Sequence, residues 1–356
     1  MKPLRRSLWL ILPALLALSP AAEAEVLRIP RAITGRSVAR SIRRGLNLLR
    51  PQAAAATAAA RPATAAPSAE EQARQAASEF DNLARLGPES RDLSVEFDHI
   101  YAGVRAGASA LPDAALRPRY FWVQGALAKH VKRNSIDNVD RLRALGLDAR
   151  LIPVNTDGET RRNIEMIEAH VRASDRPVVL IGHSRGGVMI HDWYRAASRE
   201  LRDKVARLVL IQSPLTGTPL ANRMLSLPAA QLILRAISRL ILDSDITPTL
   251  RELSVEGRRA ALSALPPLEP EDLDKIYTIR SFMDRRRRLV APSDGVVPLD
   301  SASLPGAYDV LIYGLDHGNM VISHPGWFKR LIGYTLNRYY QPAELTESIV
   351  RLIFRR

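Results

Sequence analysis

The chain of 356 residues is 46% hydrophobic and 25% charged, ordinary for a globular body and long enough for one large domain with extensions. It contains no cysteine, which excludes disulfides, thiolate metal sites and a cysteine nucleophile. Its formal net charge of +14 sits mostly in residues 1–68, where eleven Lys and Arg face only Glu23 and Glu25; the rest is mildly basic, and without RNA-binding or zinc-finger signatures nucleic acid is not an expected partner.

From the N-terminus, residues 1–6 are basic, residues 8–18 are apolar apart from one proline, and Ala22-Glu23-Ala24 fits an A-x-A cleavage site. This pattern reads as a secretory signal peptide over residues 1–24, with an apolar core too short to span a bilayer comfortably. An uncleaved anchor is the alternative, and with no cysteine after the core a lipoprotein is excluded. The expected localisation is therefore exported, periplasmic or secreted, with the mature chain starting near Glu25. Residues 26–50 hold seven arginines and no acid, and Val38, Ile42, Leu46 and Leu49 share one helical face. Such a basic amphipathic helix suits contact with an anionic membrane surface. A short helix packed on the body, or a solvated arm, explains the same residues. The Ala/Pro/Thr-rich tract over residues 51–69 has little to bury and reads as a linker. A basic arm and linker, residues 25–69, thus precede a body over residues 70–356.

Within the body, Ser68-Ala-Glu-Glu71 is a capping-box pattern opening a helix to about Leu86, and a second helix is expected over about residues 92–108. The first convincing strand covers residues 120–125. A helix (136–145), a strand (149–154), a loop (155–159) and a helix (161–173) follow. Val178 to Ile181 form a strand buried on both faces, and further strands are expected at 206–212, 276–282 and 308–313. The final helices cover about residues 327–337 and 342–354. Alternation of this kind predicts an α/β fold, a parallel sheet with helices on both faces. Between Ala221 and Asp274 the strand pattern stops. Leu232, Ile233, Ile237, Leu240 and Ile241 form an apolar helical face there, and residues 252–265 add another helix ended by Pro266-Pro267. A lid over an apolar substrate would account for this insertion, as would an ordinary buried helix.

The chemistry centres on residues 176–190, where the Val178 strand runs into Gly182-His183-Ser184-Arg185-Gly186 and apolar residues resume at Val188, Met189 and Ile190. A G-x-S-x-G between strand and helix is the setting of a nucleophile elbow, whose flanking glycines lack Cβ atoms that would clash where the backbone closes up. Ser184 is the candidate nucleophile; the plain alternative is a glycine-rich turn with an idle serine. Of the downstream histidines, His191 lies in the helix after the elbow and cannot turn back. His317 directly follows the last strand and is favoured as base over His324. Asp294, in Ser293-Asp-Gly-Val-Val-Pro298, is the preferred acid, with Asp284 as runner-up and Asp316 a loop residue. The backbone N–H groups of Arg185 and Ala126 are the expected oxyanion donors, Gly125 permitting the bend that presents Ala126 and Gln124 serving to hold the loop.

Four segments in order, the elbow, Ser213-Pro-Leu-Thr-Gly-Thr-Pro-Leu-Ala221, Leu250-Arg-Glu-Leu-Ser-Val-Glu-Gly257 and the Asp294 segment, resemble the bacterial triacylglycerol lipases, and the likeness spans residues 119–336. The resemblance implies an α/β-hydrolase fold with a mostly parallel sheet and a helical lid at about residues 221–274. It also implies an esterase or lipase with Ser184, Asp294 and His317 as its triad. This chain departs from the pattern at Gln124-Gly125, where His-Gly is usual, and at Leu215-Thr216. Gly318 and Asn319 stand where some members have a calcium-binding Asp, so neither calcium nor any other cofactor is expected. The expected activity is hydrolysis of a carboxylic ester, of a lipid or another acyl compound. A deacylase, thioesterase or amidase would use the same groups. A non-catalytic membrane-associated binding protein is the competing class. Nothing in the sequence specifies an oligomeric state.

Overall fold

A computed structural model describes residues 91–107, 110–131, 133–227, 231, 244–283, 292–323 and 339–355. The expected signal peptide, arm and linker, the helix expected from Ser68, the apolar face at 232–241, Asp284, His324 and the helix expected at 327–337 lie outside the described residues.

In chain order the elements are β1 (Arg91–Asp92), α1 (Ser94–Arg105), β2 (Arg119–Val123), α2 (Ile136–Ala144), β3 (Asp148–Leu151), α3 (Thr160–Arg172), β4 (Val178–His183) and α4 (Arg185–Ala196). They continue with α5 (Arg199–Lys204), β5 (Val205–Ile211), α6 (Pro219–Ser226), α7 (Thr247–Leu253), α8 (Val255–Ala264), α9 (Pro270–Leu273), β6 (Ile276–Phe282), β7 (Tyr308–Tyr313) and α10 (Pro342–Ile353). Among the described residues the strands form one sheet in the order β1-β7-β6-β5-β4-β2-β3, every pairing parallel.

All residues of β4 and β6 are buried, as expected of central strands covered on both faces. Because successive side chains point to opposite faces, each strand feeds two cores. Tyr120 and Trp122 of β2, Val179 and Ile181 of β4, and Val209 and Ile211 of β5 pack with Phe97 of α1, Leu142 of α2 and Ile349 of α10. Phe121, Val178, Leu180, Leu208 and Leu210 face the other way, onto Ile167 and Val171 of α3 and Met189, Ile190 and Trp193 of α4. Helices on both faces are thus fixed by the alternation within each strand. The sheet is pinned where β2 and β3 begin: Asp148 accepts from Arg119 Nε at 2.8 Å and Arg176 Nη2 at 2.7 Å.

Two expectations need correction. The helix expected at 92–108 begins at Ser94, because Arg91 and Asp92 instead pair with Tyr308 and Asp309 as an edge strand. Asp92 Oδ1 accepts from both the Ser94 N–H and its hydroxyl and starts the helix there. The single helix expected at 252–265 is two, α7 and α8, broken at Ser254. That residue leaves the helical region (φ −67, ψ 158), and its hydroxyl caps the second helix by accepting from the Gly257 N–H at 3.0 Å.

With all strands parallel, their C-terminal ends lie on one edge of the sheet, where ligands of open α/β folds bind. That edge gathers the loops after β2, β4, β5, β6 and β7.

Candidate active site

Ser184 leaves β4 and precedes α4 with φ 56 and ψ −125, a conformation disfavoured for a residue with a Cβ and held by its surroundings. Its N–H donates to the Ile211 carbonyl at 2.8 Å, and its own carbonyl accepts from the Gly187 N–H at 3.0 Å. The flanking glycines are required by space. A Cβ on Gly182 would stand 2.5 Å from the Gly187 nitrogen, and one on Gly186 would stand 2.2 Å from the Val123 carbonyl oxygen. This is the strand–turn–helix that the motif predicts.

Ser184 Oγ lies 2.9 Å from His317 Nε2, and His317 Nδ1 lies 2.7 Å from Asp294 Oδ2. Asp294 can only accept in its ionised form, so Nδ1 carries the hydrogen and Nε2 is left to accept from the serine hydroxyl. The other carboxylate oxygen of Asp294 accepts from the N–H groups of Val296 at 2.9 Å and Val297 at 2.7 Å. Gly295 (φ 97) allows the turn that brings them round. A further bond joins the His317 N–H to the Asp294 carbonyl at 3.0 Å. Asp294 is buried, while Ser184 and His317 are half-buried. The three residues singled out in the sequence are thus brought into one hydrogen-bonded row.

The loop after β2 lies against the elbow. A Cβ on Gly125 would come within 3.0 Å of both Ser184 Cβ and the His183 carbonyl oxygen. Gly125 therefore allows close approach, and further along the loop Leu127 takes a left-handed conformation (φ 62). Gln124 holds the loop as expected, donating to the Asn134 carbonyl at 2.7 Å. Ala126 follows Gly125 in this loop. Arg185 opens α4, where N–H groups have no carbonyl a turn earlier to bond.

The side chain of Arg185 has no role in the sequence reading, yet it is only 1% exposed. Its guanidinium donates to the Thr156 carbonyl at 3.2 Å, the Gly158 carbonyl at 2.7 Å, Thr160 Oγ1 at 2.7 Å and Glu252 Oε2 at 3.0 Å. It thereby joins the elbow to the β3–α3 loop and to α7. Asp157, in the same loop, accepts from His130 Nε2 at 2.6 Å, Lys129 Nζ at 2.9 Å and Ser244 Oγ at 2.9 Å. Burial opposes the Asp157 charge, but His130, Lys129 and Ser244 outweigh it and hold the carboxyl below its ordinary range. His191, set aside as a base, is buried with Nδ1 2.9 Å from Asp192 Oδ1, and Asp192 also receives both Nη groups of Arg258. Burial holds the imidazole pKa below its usual value despite the pull of Asp192. Among the described residues, no group of three or more His, Asp or Glu side chains is placed to hold a metal ion, and no helix is long and apolar enough to cross a membrane.

No curated protein sequence matches the chain. Among solved structures, it is similar to a metagenomic carboxyl esterase, at 17% identity over 86% of this chain and 98% of the other, with a TM-score of 0.58. It is also similar to a Staphylococcus hyicus lipase, at 16% identity over 69% of this chain and 97% of the other, with a TM-score of 0.48. The likeness to the carboxyl esterase speaks to the fold. The family model described as "Alpha/beta hydrolase family" matches residues 127–340, which is more than half of the sequence. The chain belongs to the alpha/beta hydrolase family.

Proposed function

We propose that the protein is a serine hydrolase of carboxylic esters, acting on a lipid or another acyl ester through an acyl-enzyme. The observation that carries this reading is the row Ser184–His317–Asp294, with contacts of 2.9 and 2.7 Å. Ser184 Oγ attacks the ester carbonyl while His317 Nε2 takes its proton, and Asp294 holds the imidazolium that forms. The N–H groups of Arg185 and Ala126 receive the oxyanion, each worth on the order of 3 kcal/mol of transition-state stabilisation. The imidazolium then protonates the leaving alcohol. A water deprotonated by His317 attacks the acyl-enzyme, releases the acid and restores the serine. The carboxyl esterase that shares the fold supports an ester as substrate. The insertion holding α6 to α9 is the segment that would cap the acyl chain.

The reading extends to the N-terminal residues of the sequence. Residues 1–24 direct export and are removed, leaving an exported enzyme whose basic segment over residues 26–50 contacts an anionic membrane surface.

A fluorophosphonate probe tests the nucleophile, and p-nitrophenyl esters of graded chain length test the substrate class. The expected result is covalent labelling of the folded protein that Ser184→Ala abolishes, together with ester turnover. No labelling, or labelling that survives Ser184→Ala, overturns the proposal. Turnover of thioesters or amides in place of esters would reassign the leaving group.

A further inference from the structure

The loop that carries His317 is gripped from beneath by three buried polar side chains at the ends of three adjacent strands. Ser281, near the end of β6, donates its hydroxyl to the Leu315 carbonyl at 3.2 Å. Gln212, directly after β5, donates Nε2 to the Asp316 carbonyl at 2.9 Å. His183, the last residue of β4, places Nε2 2.9 Å from the His317 carbonyl. The acceptors are successive in the chain, and the donors come from strands that neighbour one another in the sheet.

The donors are also joined to each other. His183 Nε2 lies 3.1 Å from Gln212 Oε1, and Gln212 Nε2 donates to Ser281 Oγ. Both partners of His183 Nε2 are oxygens that only accept, which assigns the hydrogen to that nitrogen. All three side chains are buried, and Gln212 holds a left-handed backbone (φ 47), a conformation costing an L residue about 1 kcal/mol or more. The loop keeps its own shape by other bonds: Asp316 Oδ1 accepts from the N–H groups of Gly318 at 2.8 Å and Asn319 at 2.9 Å, and Asn319 Oδ1 accepts from the Asp316 N–H at 3.0 Å. A self-shaped loop fixed to the sheet at three consecutive carbonyls has little freedom to shift. The His183 ring further backs the His317 ring at 4.9 Å between centroids.

We infer that His183, Gln212 and Ser281 are positioning residues, setting where His317 Nε2 stands relative to Ser184 Oγ by holding the backbone of the base loop. The inference rests on the proposed reading of Ser184 as nucleophile and His317 as base. A shift of about 1 Å in a reacting group can cost on the order of 100-fold in rate, which is the scale on which such a clamp acts.

The test uses the full chain with His183→Phe, Gln212→Met and Ser281→Ala, and the conservative pair His183→Gln and Ser281→Thr, which keep a donor. The readouts are kcat and KM for a p-nitrophenyl ester, the second-order rate of fluorophosphonate labelling of Ser184, and the thermal midpoint. The expected result is a ~10–100-fold fall in kcat and in labelling rate per folded molecule, KM within about twofold, and recovery to within about threefold in the conservative pair. Ser281→Ala removes a single hydroxyl and keeps the test alive should the larger changes fail to fold. If folded deletion variants label at the wild-type rate, or if labelling falls only in proportion to unfolded protein, the inference is overturned. Failure of the wild type to label overturns the serine-hydrolase reading instead, so the two failures are distinguishable.

Discussion

Arg185 and Glu252, 67 positions apart, form an ion pair at 3.0 Å that ties the residue after Ser184 to α7. Thr160 also donates to Glu252, so one carboxylate oxygen joins the elbow, the start of α3 and the β5–β6 connection. Removing this carboxylate leaves a guanidinium without its counter-ion in a buried site. Glu252→Ala is therefore expected to lower stability by about 3 kcal/mol in urea unfolding, and Glu252→Gln, which keeps a carbonyl acceptor, by less. Equal midpoints for wild type and Glu252→Ala would show that the pair contributes nothing net.

Asp294→Asn preserves the shape of the turn but no longer favours the Nδ1–H tautomer of His317. On the proposed mechanism kcat falls by roughly 10⁴ with the unfolding midpoint little changed. A loss below about tenfold would move the acid's role to another carboxylate, Asp284 being the first to test.

Two glycines separate crowding from backbone strain. Gly186→Ala drives a Cβ to 2.2 Å from the Val123 carbonyl oxygen, so β2 or the elbow must shift. The expected cost is about 2 kcal/mol or more, accompanied by loss of the proposed ester hydrolysis. Gly146 has φ +82 and nothing within 4 Å of an added Cβ, so Gly146→Ala costs only the left-handed backbone, about 1 kcal/mol, with activity per folded molecule retained. Similar activities for the two variants would contradict this account of the elbow.

Asp148 supplies a pH signature. Burial alone would raise its carboxyl pKa, but Arg119 and Arg150 outweigh burial and hold it at about 2, against an ordinary value of 3.8. A folded-state pKa below the unfolded one gives stability that is full above the unfolded value and is lost as pH falls towards the folded one. Asp148→Asn should therefore cost about 2 kcal/mol in urea unfolding at pH 7, with the difference shrinking between about pH 4 and pH 2. A cost independent of pH would assign the effect to packing.

The strand entering the elbow was legible because a parallel strand covered on both faces reads as an uninterrupted apolar run, here Val178 to Ile181. The strands at 276–282 and 308–313 are interrupted by Thr278, Arg280 and Asp309, which bond to one another inside the sheet, and it is their β-branched and aromatic residues that mark them. Ser184, His317 and Asp294 were legible for a related reason: each follows a strand on the same edge, so chain order alone limits the partners. What the sequence hid depends on contacts distant along the chain. Arg91 and Asp92 are too few to show a period, and they form a strand only because Tyr308 and Asp309 lie beside them. The break at Ser254 is written locally as a cap, but the continuing helical pattern masks it. The Arg185 side chain gave no signal, since its acceptors are two carbonyls, a threonine and Glu252. The room that Gly125 leaves for Ser184, and the left-handed conformation of Leu127, gave no local signal, because both depend on how the loop after β2 packs against the elbow.

The all-parallel order of the sheet also bears on when the protein acquires reactivity. No described neighbouring strands are joined by a hairpin, and Ser184 precedes His317 by 133 residues. During synthesis Ser184 emerges well before β6, the Asp294 turn and β7. On the proposed mechanism, a nascent chain ending between the elbow and His317 has a serine but no base, and a shorter one has neither, so unfinished polypeptide is chemically silent. In refolding the same long-range closure puts the recovery of activity last, after the central strands have paired.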